Sequence, residues 1–144
     1  DDFGIPYFDF GVELSAPCRG VVVWALIREI GVQGMRERVK RHNAMARHLA
    51  QCANDHPNLE VLSEPTLSIC CFRYISPDIG DLDRFNQRLH RRLVRENKYM
   101  PSTTRVRGNL TLRPCYVGAR ADLPQVDALL ESVLRIGKDL EKGR

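Results

Sequence analysis

Leu67-Ser68-Ile69-Cys70-Cys71-Phe72-Arg73-Tyr74-Ile75 is the stretch on which the fold turns. Apolar residues fall on both of its alternating faces, the pattern of a strand covered on two sides, so it reads as the central strand of a sheet. Upstream, His56-Pro57-Asn58 breaks the chain, Leu59 to Leu62 reads as a short strand, and Ser63-Glu64-Pro65 as a turn. Downstream, a Pro77-Asp78 turn leads to Asp81, which can cap a helix carrying Leu82, Phe85, Leu89 and Leu93 at spacings of three and four. Tyr99 to Val106 and Leu110 to Val117 read as two more strands joined around Arg107-Gly108, a hairpin signal. Asp122 with Gln125 resembles a capping box opening a last helix, with Val126, Leu129, Leu130, Val133, Ile136 and Leu140 inward.

Before the central strand the pattern is helical. From Arg19 it runs through Val22, Val23, Leu26, Ile27 and Ile30 and ends near Gly31. A second helix from about Gln33 to Ala53 carries Met35, Val39, Ala46, Leu49, Ala50 and Ala53 as its apolar stripe. Gly31-x-x-Gly34 between them permits a sharp bend. Residues 1–18 are irregular, with Phe3, Tyr7, Phe8 and Phe10 set around Gly4, Pro6 and Gly11. Such a segment cannot bury itself and is expected to lie across another surface. The order is therefore ααββαββα, which defines an α+β fold: a small, mostly antiparallel sheet of about four strands packed with helices.

Composition bounds the function. The 144 residues suit one domain, and 43% hydrophobic with 28% charged residues excludes disordered and fibrous classes. The longest apolar run, Val21 to Ile27, is far shorter than the ~20 residues that span a bilayer. A net charge of +4 permits an anionic partner without demanding one. The five cysteines, Cys18, Cys52, Cys70, Cys71 and Cys115, cannot all pair, and they read as reduced, buried residues of a cytosolic protein. No CxxC occurs, and Cys52 with His56 four residues later falls short of the spacing rules for zinc, so no metal site is expected.

The chemistry-bearing residues form no self-contained active site. Ser, His and Asp occur without the placement of a triad, and His42, His48, His56 and His90 are expected to be solvated. Arg84, Arg88, Arg91, Arg92 and Arg95 line one helix face, yet acidic residues interleave with the basic ones and no stacking aromatics accompany them. That favours a solvated face or partner interface over a nucleic-acid surface. Arg113 stands apart. It interrupts the apolar strand Leu110-Thr111-Leu112-Arg113-Pro114-Cys115-Tyr116-Val117, so its guanidinium is expected in a partly buried place near a strand end marked by Pro114. Either an anionic ligand meets it, in the bidentate geometry an Arg fork suits, or an internal carboxylate does.

Several segments together resemble the C-terminal part of the group II pyridoxal-phosphate-dependent decarboxylases, the family of aromatic amino acid, histidine, glutamate and diaminobutyrate decarboxylases. The residues that carry the resemblance are Arg19-x4-Trp24, Gly31-x-x-Gly34 with the long helix after it, and the Cys71-Phe72-Arg73 strand. Asn86, the Thr103-Thr104 strand, Leu110-Thr111-Leu112-Arg113 and the final helix near Ile136-Gly137 complete it.

The resemblance implies fold type I, with residues 1–31 from the end of the large cofactor domain and its linker helix, and residues 32–144 as the small domain. It implies pyridoxal 5'-phosphate as cofactor, whose pyridinium ring stores the electrons released with CO2. It also implies an amino acid substrate, a homodimer, a cytoplasmic setting, and neither nucleic acid nor membrane as partner. The Schiff-base lysine, the ring-stacking His and the Asp at the pyridine nitrogen would all precede Asp1, so the N-terminal cofactor-binding portion becomes the necessary partner and no catalytic residue is expected in this stretch. The absence of an initial Met and the segment after the family's mobile catalytic loop then suggest a fragment or a split chain, inactive alone. Arg113 matches the family's small-domain Arg that meets a substrate carboxylate in acidic-substrate members, and Ser15 approaches the cofactor phosphate. The rival reading is a free-standing α+β regulatory or interaction module binding a small anion at Arg113.

Overall fold

The computed structural model describes residues 5, 7–12, 15 and 17–143. Phe3, Gly4, Pro6, Glu13 and Leu14 lie outside the described residues. The chain divides into two compact units, residues 1–37 and 38–144. A short 3-10 helix covers Tyr7–Phe10, and α1 runs Arg19–Asn54. The sheet and remaining helices follow as β1 Leu59–Ser63, β2 Cys71–Tyr74, α2 Leu82–Arg95, β3 Ser102–Val106, β4 Asn109–Arg113 and α3 Leu123–Lys142. No helix among the described residues is long and apolar enough to cross a membrane.

The expected α+β architecture is present, with one change at its start. The two expected helices merge into α1, and the anticipated bend falls at Gly31, whose φ of 68° and ψ of 171° leave the helical region. A side chain is strained at that φ, so glycine belongs there. In the first unit Val22, Val23 and Trp24 are exposed. In the second, α1 buries His42, Met45, Ala46, Leu49, Ala50 and Ala53, while Val39 of the expected stripe is 48% exposed.

The four strands are antiparallel in the order β1-β2-β4-β3, which sets β2 in the interior as its apolar sequence requires. β2 is shorter than expected. Ile69 makes only an isolated bridge to Cys115 before regular pairing starts at Cys71. Phe72, Tyr74 and Leu112 are fully buried on the face that meets the helices. The Tyr74 ring stacks on Phe85 of α2 with centroids 5.5 Å apart, and Gly137 of α3 lies directly against it.

Local chemistry fixes the element ends. Asp81 accepts from the Arg84 N–H at 2.9 Å to start α2. Asp122 and Gln125 form the expected capping box at α3. Arg107 and Gly108 both adopt positive φ, 49° and 83°, the pair of left-handed residues that closes a tight two-residue hairpin between β3 and β4.

Candidate functional site

Arg113 is the last residue of β4, and Pro114 ends the strand as expected. It pairs in register with Ser102, the first residue of β3. The Arg113 Nε donates to Ser102 Oγ at 3.0 Å, and that hydroxyl donates to the Arg113 carbonyl at 3.1 Å. Ser102 thus fixes the inner edge of the guanidinium. Among the described residues no carboxylate pairs with Arg113 and nothing hydrogen-bonds its two Nη groups, which leaves the end of the fork open for an anion. Leu112 pairs with Phe72 on the helix-covered face, so by alternation Arg113 belongs to the opposite face. Past this strand end lies an open cavity of about 530 Å³, lined among others by Pro101, Pro114, Tyr116 and, from α3, Gln125 and Leu129; neither Ser102 nor Arg113 lines it.

The second arginine of the sheet has a different part. Arg73 is mostly buried, donates from Nε to Glu60 at 2.6 Å and from Nη1 to Asn109 Oδ1 at 3.1 Å, and so ties β1, β2 and β4 together. Here the internal partner exists, and the role is structural. Ser15, the other expected site residue, sits exposed in a bend of the first unit.

The histidines depart from the solvated surface expected of them. His42 is buried, with Nε2 2.9 Å from the Gly118 carbonyl, and His90 Nε2 lies 2.8 Å from the Pro101 carbonyl. His56 Nδ1 accepts from the Asn58 N–H at 3.1 Å. Each ring is spent on a hydrogen bond to a backbone group, and the Gly118 carbonyl also accepts the Ala121 N–H at 3.1 Å. His48 is different. Its Nε2 lies 2.7 Å from Asp127 Oδ1 and 3.7 Å from Cys52 Sγ. His48 and Cys52 are four apart on one face of α1, the same spacing in the sequence that separates Cys52 from His56; Asp127 comes from α3. Burial, then the charges of Asp127 and Asp55, push the Cys52 thiol up. All five cysteines are free, but only Cys70 and Cys71 are buried, while Cys18 and Cys115 are exposed.

A pyridoxal phosphate site needs a lysine amine in a shielded pocket and donors around the phosphate. Lys40, Lys98, Lys138 and Lys142 are all exposed on helices or the turn after α2. The described residues therefore do not seat the cofactor by themselves.

The fold is an α+β module with Arg113 at the end of β4, its two Nη groups without a hydrogen-bond partner among the described residues. The chain is 30% identical over 115 residues to tyrosine decarboxylase 2 of Arabidopsis thaliana, covering 78% of this chain and 21% of that protein. It is 22% identical over 143 residues to acidic amino acid decarboxylase GADL1 of Xenopus tropicalis, covering 92% of this chain and 28% of that one. The solved structure of Oryza sativa TDC with PLP and tryptamine superimposes with a TM-score of 0.81 at 21% identity, over 93% of this chain and 29% of that one, a likeness of fold. No family model matches. The resemblance to the group II pyridoxal-phosphate-dependent decarboxylases is thereby borne out over most of the chain. The chain spans roughly a quarter of the length of these relatives.

Proposed function

We propose that this chain is the C-terminal portion of a pyridoxal-phosphate-dependent amino acid decarboxylase, a carbon–carbon lyase when intact. The observation that carries the reading is the 30% identity with a tyrosine decarboxylase over 78% of this chain. Residues 1–31 belong to the end of the large domain and its linker, and residues 32–144 make the small domain. The intact enzyme is a cytoplasmic homodimer, a setting supported by five unpaired cysteines. When bound, the cofactor supplies the electron sink for loss of CO2. The absence of any shielded lysine from the described residues supports the view that the isolated chain is inactive.

Arg113 acts on the substrate side. Ser102 holds its Nε, so the two Nη groups present a bidentate edge to a carboxylate of the amino acid. Ser15 lies near the cofactor phosphate in the assembled enzyme. The closing test uses the intact protein, which is expected to show the visible absorbance of bound pyridoxal phosphate and to release CO2 from aromatic or acidic amino acids. Arg113→Ala should raise KM roughly ten- to a hundredfold, the loss of a charged hydrogen-bonded pair, while leaving the cofactor absorbance in place. Unchanged kinetics would remove the role given to Arg113. Failure of the intact protein to bind the cofactor would instead favour the anion-binding module.

A further inference from the structure

His48, Cys52 and Asp127 bring three different ligand types to one point on the surface of the second unit, and the decarboxylase reading uses none of them. Their ligand atoms all lie within 4.8 Å of one another. The elements that carry them are firmly set. Leu49 and Ala53, the chain neighbours of His48 and Cys52 on α1, are fully buried, as is Val126 next to Asp127 on α3. The capping box fixes the start of α3 five residues before Asp127.

The arrangement is not that of a proton relay. A thiol–imidazole–carboxylate relay places thiol and carboxylate on opposite ring nitrogens. Here Asp127 takes Nε2 at 2.7 Å, and Cys52 Sγ is nearer to that same nitrogen, at 3.7 Å, than to Nδ1, at 3.9 Å. All three atoms converge instead. In a tetrahedral zinc site the bond lengths set a sulfur-to-nitrogen edge of about 3.6 Å and a nitrogen-to-oxygen edge of about 3.4 Å. The edge from Cys52 Sγ to His48 Nε2 already has that length. A zinc-bound thiolate stands about 5 Å from the far ring nitrogen, against 3.9 Å from Nδ1 here, so the His48 ring must turn to aim Nε2 at the ion. Asp127, an exposed side chain, draws back by about 0.7 Å to admit it. A thiolate with an imidazole selects zinc-like cations over calcium or magnesium.

We propose that Cys52 Sγ, His48 Nε2 and Asp127 Oδ1 form a three-ligand site for Zn2+, with water in the fourth position, linking α1 to α3. Metal binding displaces the direct His48–Asp127 contact, with the Nε2 lone pair turned to the ion and the ring proton on Nδ1. The proposal is independent of the decarboxylase reading, since it concerns only residues of this chain.

Titrating the reduced, metal-stripped chain with Co2+ tests it. The expected result is a thiolate-to-cobalt charge-transfer band with the visible bands of tetrahedral cobalt, saturating near one equivalent and abolished by Zn2+. Cys52→Ser should remove the charge-transfer band, and His48→Ala and Asp127→Asn should each weaken binding about tenfold or more. Cys115→Ser and Cys18→Ser, at the exposed cysteines, should leave it unchanged, with circular dichroism confirming that every variant is folded. No band in the unaltered chain, or a band that survives Cys52→Ser, overturns the proposal.

Discussion

The carboxamide of Asn86 holds both ends of Tyr74: its Oδ1 accepts the Tyr74 N–H at 2.9 Å, and its Nδ2 donates to the Tyr74 carbonyl at 2.9 Å. On the other side of β2 the next residue, Ile75, donates to the Asn58 carbonyl. Tyr74's own backbone groups therefore face away from β1, toward where a neighbouring strand would be, and the Asn86 amide stands in for it. Nδ2 also donates to the Leu82 carbonyl, so one buried side chain satisfies three backbone groups.

Asn86→Leu keeps a similar volume but leaves the Tyr74 N–H and C=O buried without partners. The expected loss is about 2–4 kcal/mol of unfolding free energy, read from urea denaturation. Asn86→Asp should also destabilise, because a carboxylate would face the Tyr74 carbonyl without a donor. A loss under about 0.5 kcal/mol for the leucine variant, the scale of an ordinary surface change, would contradict this account.

Gly137 is required by contact rather than by backbone angle. A Cβ there would stand 2.3 Å from Tyr74 Cε2. Gly137→Ala should therefore cost about 1–3 kcal/mol or more, although alanine is the better helix former. Combining it with Tyr74→Leu should recover part of that loss, giving a coupling in a double-mutant cycle that additive effects would not produce.

Alkaline pH should weaken the second unit through its buried acids. Burial first, then the neighbouring Cys71 and Glu64, push the Cys70 thiol from 9.0 up to about 12. Burial first, then Glu141, push the Tyr74 phenol from 10.0 up to about 12. Tyr116 is raised as well, again chiefly by burial. A raised folded value means the native state holds its proton more tightly, so this contribution is complete below about pH 9 and is lost as pH rises toward 12. Urea midpoints should fall across that range, and Cys70→Ala or Tyr74→Phe should each flatten the slope.

Asp83 should give the opposite dependence. Its Oδ1 accepts the Leu110 N–H at 2.8 Å and its Oδ2 accepts from Arg105 at 2.6 Å. The Leu110 hydrogen bond first, and Arg105 after it, hold the carboxyl below its usual 3.8. The stability this confers is present above pH 3.8 and declines as pH falls below it. Asp83→Asn should reduce the steepness of acid unfolding, measured by circular dichroism between pH 5 and pH 2.

Features that rest on near neighbours in the chain were legible in the sequence. The Arg107-Gly108 turn, the Asp81 cap, the Asp122–Gln125 box and the Gly31 bend each depend on a few adjacent residues. Arg113 was legible too, as a charge in an apolar strand before a proline. Long-range pairings were hidden. Nothing near His42 announces the Gly118 carbonyl it meets, and Asn86 looks like an ordinary polar position until Tyr74 is folded against it. Val39 kept its helical period, yet period alone does not say which apolar residues are covered. His48 and Cys52 share a helix face, but their third partner lies far along the chain on α3.

The Arg73 tie has a consequence for how the sheet comes apart. β2 and β4 share one registered pair, Phe72 with Leu112, and the isolated Ile69–Cys115 bridge. β3 and β4, by contrast, pair along their whole length. The sheet is two ribbons stitched along a seam thin in backbone hydrogen bonds, where the Arg73–Asn109 hydrogen bond replaces part of the missing ladder. Opening should begin along that seam, releasing β3 and β4 as one cooperative unit whose amides exchange together.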